Sequence, residues 1–157
     1  MNFSAFYNCS KIKTIIYEGT LEKYLEVVAN AIGGKGSQYD VFVETNDLVD
    51  ELVIPNSITS IPNQAFLRCG SLTSVIFSQG VTSIGMSAFR ECYNLKSIVI
   101  PETVANIDWG VFQDSNNLES IIFQGNINQW NAITKGTDWN KNVPATHVHC
   151  TDGDVAL

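Results

Sequence analysis

The chain has 157 residues, 45% of them apolar, and a formal net charge of −7, which suits one domain with a continuous core. Eight acidic side chains against four lysines in the first 51 residues, and no clustered Lys and Arg anywhere, make nucleic acid a poor partner. No apolar run approaches the roughly 18 residues of a membrane span, and the opening MNFSAFYNCSKIKT lacks the charged and apolar regions of a signal peptide.

Residues 1–17 read as a partial repeat, because Phe6, Cys9, Ile12 and Ile15 have the spacing that returns at Phe66, Cys69, Leu72 and Val75. Met1-Asn2-Phe3 aligns with Ile107-Asp108-Trp109, so the first coil is expected to lack its strand and any capping unit. That is the expectation for a piece of a longer protein, or for a natural fragment with an improvised cap.

Residues 18–51 read as an insert. TLEKYLEVVANAI predicts a helix with Thr20 as N-cap and Leu21, Tyr24, Leu25, Val28 and Ile32 on one face. Gly33-Gly34-Lys35-Gly36-Ser37 has the composition of a phosphate loop but not its spacing, and no strand leads into it, so a flexible turn is expected. YDVFVE then predicts a short strand and a polar turn.

Residues 52–123 carry three repeats of 23 residues and a following strand: LVIPNSITSIPNQAFLRCGSLTS, VIFSQGVTSIGMSAFRECYNLKS and IVIPETVANIDWGVFQDSNNLES. Phe66, Phe89 and Phe112 are in phase, as are Leu72, Leu95 and Leu118, and Ile61, Ile84 and Ile107. Each unit has the spacing L-x-x-V-x-F, as in Leu72, Val75 and Phe77, whose alternation predicts a strand. A second apolar pair follows, as in Val81 and Ile84. One strand cannot bury such a unit alone. Stacking the units predicts a right-handed coil whose strands form a parallel sheet about 4.8 Å apart, with the phenylalanines filling its far side.

Residues 124–157 repeat the insert. A shift of 106 residues aligns the two without a gap: Phe6 meets Phe112, Ile15-Ile16-Tyr17 meets Ile121-Ile122-Phe123, Tyr24 meets Trp130 and Phe42 meets Val148. This segment also contains THVHCTDGD, whose two histidines, cysteine and aspartates suggest a metal or catalytic centre. In the alignment His147 falls on Val41, His149 on Val43, Cys150 on Glu44 and Asp154 on Leu48, so the alternation survives while every candidate ligand changes. His147 and His149 are expected on one strand face and Cys150 on the other. That leaves zinc short of three or four converging ligands and calcium short of six oxygens, and it separates Cys from His for nucleophilic catalysis. A strand followed by a turn at Asp152-Gly153-Asp154 is the better reading, with no metal and no cofactor.

The repeat pattern I-P-x-x-V-x-x-I-x-x-x-A-F-x-x-C-x-x-L-x-S resembles the bacterial BspA-like leucine-rich repeats, directly over residues 1–17 and 52–123. The stretches around Trp130 and Thr151–Asp154 are similar to segments interspersed between such repeats. The expected fold class is therefore a leucine-rich-repeat solenoid, a right-handed coil with a parallel β-sheet, few short helices and two related helix-strand inserts.

Four cysteines raise the question of disulfides. Cys9, Cys69 and Cys92 share one repeat position, where Ser115 stands in the next unit, so free thiols in the coil wall are expected. Trp109, Trp130 and Trp139 could stack on sugars. The preferred reading has Trp130 packing the last coil and the other two partly exposed.

These features point to a non-enzymatic scaffold for protein–protein binding. The resemblance implies a protein or glycoprotein partner and an adhesion-type role, secreted or on a bacterial surface. A spacer or stalk is the alternative, and a metal-dependent enzyme ranks last. The candidate binding residues are Val53, Ile76, Val99 and Ile122, which point outward between the inward apolar positions of successive strands. Ser74, Ser97 and Ser120 should flank this stripe on one side, and Pro55, Ser78, Pro101 and Gln124 on the other.

Overall fold

In the computed structural model, which describes residues 14–17, 40–43 and 51–157, short strands recur with the sequence period. Strands β1 (Thr14–Tyr17) and β2 (Asp40–Val43) pair in parallel. Then come β3 (Glu51–Ile54), β5 (Ser74–Phe77), β7 (Ser97–Ile100) and β9 (Ser120–Phe123), each starting 23 residues after the last. Between them lie the two-residue strands β4 (Ser60–Ile61), β6 (Ser83–Ile84) and β8 (Asn106–Ile107). Helix α1 (Ile127–Ala132) precedes β10 (Thr134–Lys135), and β11 (His147–Cys150) and β12 (Gly153–Ala156) end the chain.

Among the described residues the order is that of a solenoid with almost no helix. The larger sheet runs β12-β11-β9-β7-β5-β3 and the smaller β10-β8-β6-β4. Pairing from β3 to β11 is parallel, and the register carries one repeat onto the next: Val53 opposite Ile76, Ile76 opposite Val99, Val99 opposite Ile122. Within each strand the second and fourth residues are buried. Alternation therefore does in three dimensions what it announces in the sequence.

The third wall of the coil is a stack of turns. Phe66 N–H donates to Ala88 O (2.8 Å), Phe89 N–H to Val111 O (2.9 Å) and Phe112 N–H to Trp139 O (2.7 Å). Each turn contains two left-handed residues four positions apart, as in Gln64 and Arg68, Ser87 and Glu91, Gly110 and Asp114, and Asp138 and Asn142. Only Gly110 takes that conformation without steric cost. Behind the turns the phenylalanines form a column, Phe66 stacked on Phe89 at 5.0 Å between ring centroids and Phe89 on Phe112 at 5.7 Å. Leu72, Leu95, Leu118, Ile61, Ile84 and Ile107 are all buried with them.

Residues 124–157 complete a fourth coil. β10 pairs with β8, the turn at 137–142 continues the turn stack, and β11 pairs with β9 through Val148 opposite Ile121. The step from Ile121 to Val148 is 27 residues, four more than the repeat, and α1 occupies the added length. Asn126 caps α1: its side chain accepts from Gln129 N–H, while the Gln129 side chain accepts from Asn126 N–H. Asn126 stands where the 106-residue shift places Thr20, the N-cap expected in the first insert; that first helix lies outside the described residues. Trp139 is buried (8% exposed) rather than partly exposed, edge-on to Phe112 at 6.3 Å and to Trp130 at 5.7 Å. It takes the turn position held by Val111 and Ala88 in the preceding coils, and its bulk fills the end of the column where Asn140 replaces the next Phe.

The gapless 106-residue alignment slips by one in space. It would set Phe42 opposite Ile15, as Val148 stands opposite Ile121, but β1 and β2 pair with Val41 opposite Ile15. The register counterparts of His147, His149 and Cys150 are thus Asp40, Phe42 and Val43. A two-residue period makes a one-residue slip exchange the two faces of a strand.

Candidate functional site

The outer face of the larger sheet follows from its alternation. With Leu52, Val75, Ile98 and Ile121 and then Ile54, Phe77, Ile100 and Phe123 buried, the residues between them must face away from the core. Val53 is 52% exposed and Ile122 40%, while Ile76 and Val99, each flanked by aliphatic neighbours, are half-buried. The four form one ladder at steps of about 4.8 Å. β11 prolongs it, with His149 opposite Ile122, so the second insert widens the sheet instead of folding over the ladder.

Polar rows border the ladder. Ser74, Ser97 and Ser120 are in register on one side, and Ser74 Oγ donates to Glu51 at 3.2 Å. On the other side Pro101 is buried, and Gln79 Nε2 donates to Gln124 Oε1 (3.0 Å) across the intervening coil.

The His-Cys-Asp segment divides as its alternation requires. His147 and His149 are exposed, while Cys150 turns inward and packs against the core. Burial, followed by repulsion from Asp152 and Asp154, pushes the Cys150 thiol above its ordinary pKa, so it stays protonated and a poor nucleophile at neutral pH. Thr151 and Asp152 form the turn into β12, where His149 Nδ1 meets Asp154 Oδ1 at 2.9 Å across the hairpin. Among the described residues no three His, Cys, Asp or Glu side chains converge on a metal position.

The remaining cysteines do structural work. Cys69 and Cys92 are buried free thiols, and Cys92 Sγ donates to Phe66 O (3.1 Å). Ser115, at the same repeat position, donates to Phe89 O (2.9 Å) and accepts from Cys92 N–H (3.2 Å). Cys9 lies outside the described residues.

One feature escaped the sequence reading. On the turn wall Arg68 and Arg90 flank Glu91: Arg68 Nε lies 2.7 Å and Arg90 Nε 3.4 Å from its carboxylate. Arg90 also reaches Asp114 at 3.5 Å and lies over the Trp109 ring at 5.8 Å. Tyr93 O–H donates to Glu91 at 2.9 Å. Arg68, Glu91 and Asp114 are equivalent left-handed positions on successive coils, so the 23-residue phase of charged residues was the available signal. Every cation of this group is already neutralised, which makes it a clamp on the turn stack.

Residues 38–134 match the family described as BspA type Leucine rich repeat region, in six copies. No curated protein and no solved structure matches the chain.

Proposed function

The chain belongs to the BspA-type leucine-rich repeat family, and from that membership we propose that it is a non-enzymatic binding module whose protein or glycoprotein partner docks on the outer face of the larger sheet. The observation that carries this reading is the ladder Val53–Ile76–Val99–Ile122, a continuous aliphatic row on an otherwise polar face. Contiguous exposed apolar surface of this kind marks contact sites more often than isolated residues do. Its role is adhesion-type, in a secreted or surface-displayed protein, as the family resemblance suggests; among the described residues no helix is long and apolar enough to cross a membrane.

The competing explanation is β-propensity, since Val and Ile favour strands whether or not anything docks; it fits a spacer or stalk. The paired variant Ile76→Glu, Val99→Glu separates the two. Both side chains stand off the core, so circular dichroism and melting should match wild type. Capture of matrix proteins or of cells on a coated surface should then fall at least about tenfold, the loss expected when charge enters an apolar contact. A folded variant that still captures the same surface places the binding site elsewhere.

A further inference from the structure

The ladder has a geometry and a charge environment that narrow its partner. Its four side chains advance along the solenoid axis by about 4.8 Å per step and span about 14 Å. An extended segment laid along that axis presents same-face side chains about 6.6–6.8 Å apart, and falls a whole step out of phase within three contacts. An α-helix presents one side chain per turn of about 5.4 Å and drifts by only about 2 Å over the ladder. About ten helical residues cover it.

Charge selects further. Residues 51–157 hold nine carboxylates and five Lys or Arg. Four of those cations are engaged on other walls: Arg68 and Arg90 with Glu91, Lys141 with Asp138, and Lys135 over the Trp130 ring and on backbone carbonyls. Among the described residues only Lys96 remains beside the larger sheet, and Glu119 holds the same position on the next coil. Glu51 lies on the outer face at one end of the ladder, Asp154 beside His149 at the other, and Glu102 is exposed at the corner after β7.

A second copy of the chain fits poorly. The outer face of six strands covers about 24 Å by 13 Å, or about 300 Å², and two such faces fall well short of the roughly 1,200 Å² of a stable interface. They would also bring like charges together.

Resting on the reading that the ladder is the docking face, we propose that its partner is a cationic amphipathic helix of about three turns, its apolar stripe along Val53–Ile122 and Lys or Arg on its flanks toward Glu51, Glu102 and Asp154.

The test titrates the full chain, by fluorescence anisotropy, with three labelled synthetic peptides of one length. The first is a leucine-striped helix with lysine flanks, the second the same stripe with glutamate flanks, and the third a lysine peptide with leucine at every second residue. The first should bind, and both others at least about tenfold more weakly. Its affinity should fall as salt rises from about 0.05 to 0.5 M, where the screening length drops below the separation of rim charges. The triple variant Glu51→Gln, Glu102→Gln, Asp154→Asn, with unchanged dichroism, should lose on the order of tenfold for the first peptide, mainly in association rate. Equal binding of the glutamate peptide, or affinity indifferent to salt, overturns the cationic partner. Equal binding of the alternating peptide overturns the helix. Binding of none of the three overturns the partner class altogether, whereas the docking face itself stands or falls with the Ile76→Glu, Val99→Glu capture assay.

Discussion

Phe89 lies fully buried at the middle of the phenylalanine column, stacked on Phe66 and Phe112 and met edge-on by Phe77 at 5.5 Å. Neighbours held on both sides by their own hydrogen-bonded turns cannot collapse into a vacancy. Phe89→Ala should therefore cost about 3–5 kcal/mol, whereas Ser78→Ala, at a partly exposed position, should stay within about 0.5 kcal/mol. Chemical denaturation of the two variants checks this, and equal midpoints would contradict the packing described. Ser115 carries a different kind of cost. Its hydroxyl is buried and serves two partners, so Ser115→Ala removes the donor to Phe89 O and the acceptor that Cys92 N–H meets, and should cost about 1–3 kcal/mol. Cys92→Ser keeps a donor toward Phe66 O and should be the milder change; the reverse order in urea melts would show that the wall position is not held by hydrogen bonding.

Among the elements, the turn stack and the terminal hairpin differ in how much their charged contacts contribute. Burial pushes the Glu91 carboxyl upward, but hydrogen bonds from Arg68 and Tyr93 and the charges of Arg68 and Arg90 outweigh it, so the pKa lies below its ordinary 4.5. A depressed carboxyl contributes stability that is present above its unfolded pKa and lost as pH falls through the folded one. Stability should therefore drop as pH falls below about 4.5, and Glu91→Gln should flatten that part of the profile in melts taken across the acid range. The hairpin contact between His149 and Asp154 has both side chains more than half exposed, 54% and 55%. Exposed pairs contribute little, so His149→Val should change the melting midpoint negligibly. That substitution leaves the strand alternation intact, although the register counterpart of His149 in the first insert is Phe42 and not Val43.

At the scale of the whole molecule, the described coils pack mainly on their immediate neighbours, with the Gln79–Gln124 hydrogen bond reaching one coil further, and stability is close to a sum of coil and interface contributions. The fourth coil differs from the others because α1 lengthens it and Trp130 seals it, buried against Phe123 at 5.3 Å and Trp139 at 5.7 Å. Lys135 rests on the same ring, 4.4 Å from its centre, and donates to the backbone carbonyls of Trp130 and Ile133. The hairpin is tied in as well, since Asp152 accepts from Ile127 N–H at 2.8 Å. Trp130→Ala should cost about 3–5 kcal/mol, but locally: amides of β9 and β11 should exchange faster while those of β5 and β7 keep their protection. Uniform loss of protection would mean that the four coils unfold as one unit. The antiparallel β12 also occupies the edge of β11, where a further parallel strand would otherwise pair.

Periodicity alone determined the solenoid, its strand positions, the phenylalanine column and the outward placement of Val53, Ile76, Val99 and Ile122, because a 23-residue phase and a two-residue alternation are local properties that every stacked copy must obey together. The division of His147, His149 and Cys150 between two faces was legible for the same reason. Tertiary structure decided the rest. Whether Trp139 is buried depends on a column end that only stacking creates, and the register of β1 with β2 depends on how the intervening chain closes, which a gapless alignment cannot register. The Arg68–Glu91–Arg90–Asp114 clamp arises because residues 23 or 24 apart in sequence become neighbours across a single turn of backbone hydrogen bonds. Opposite charges at such a distance in sequence attract only after the coils have stacked.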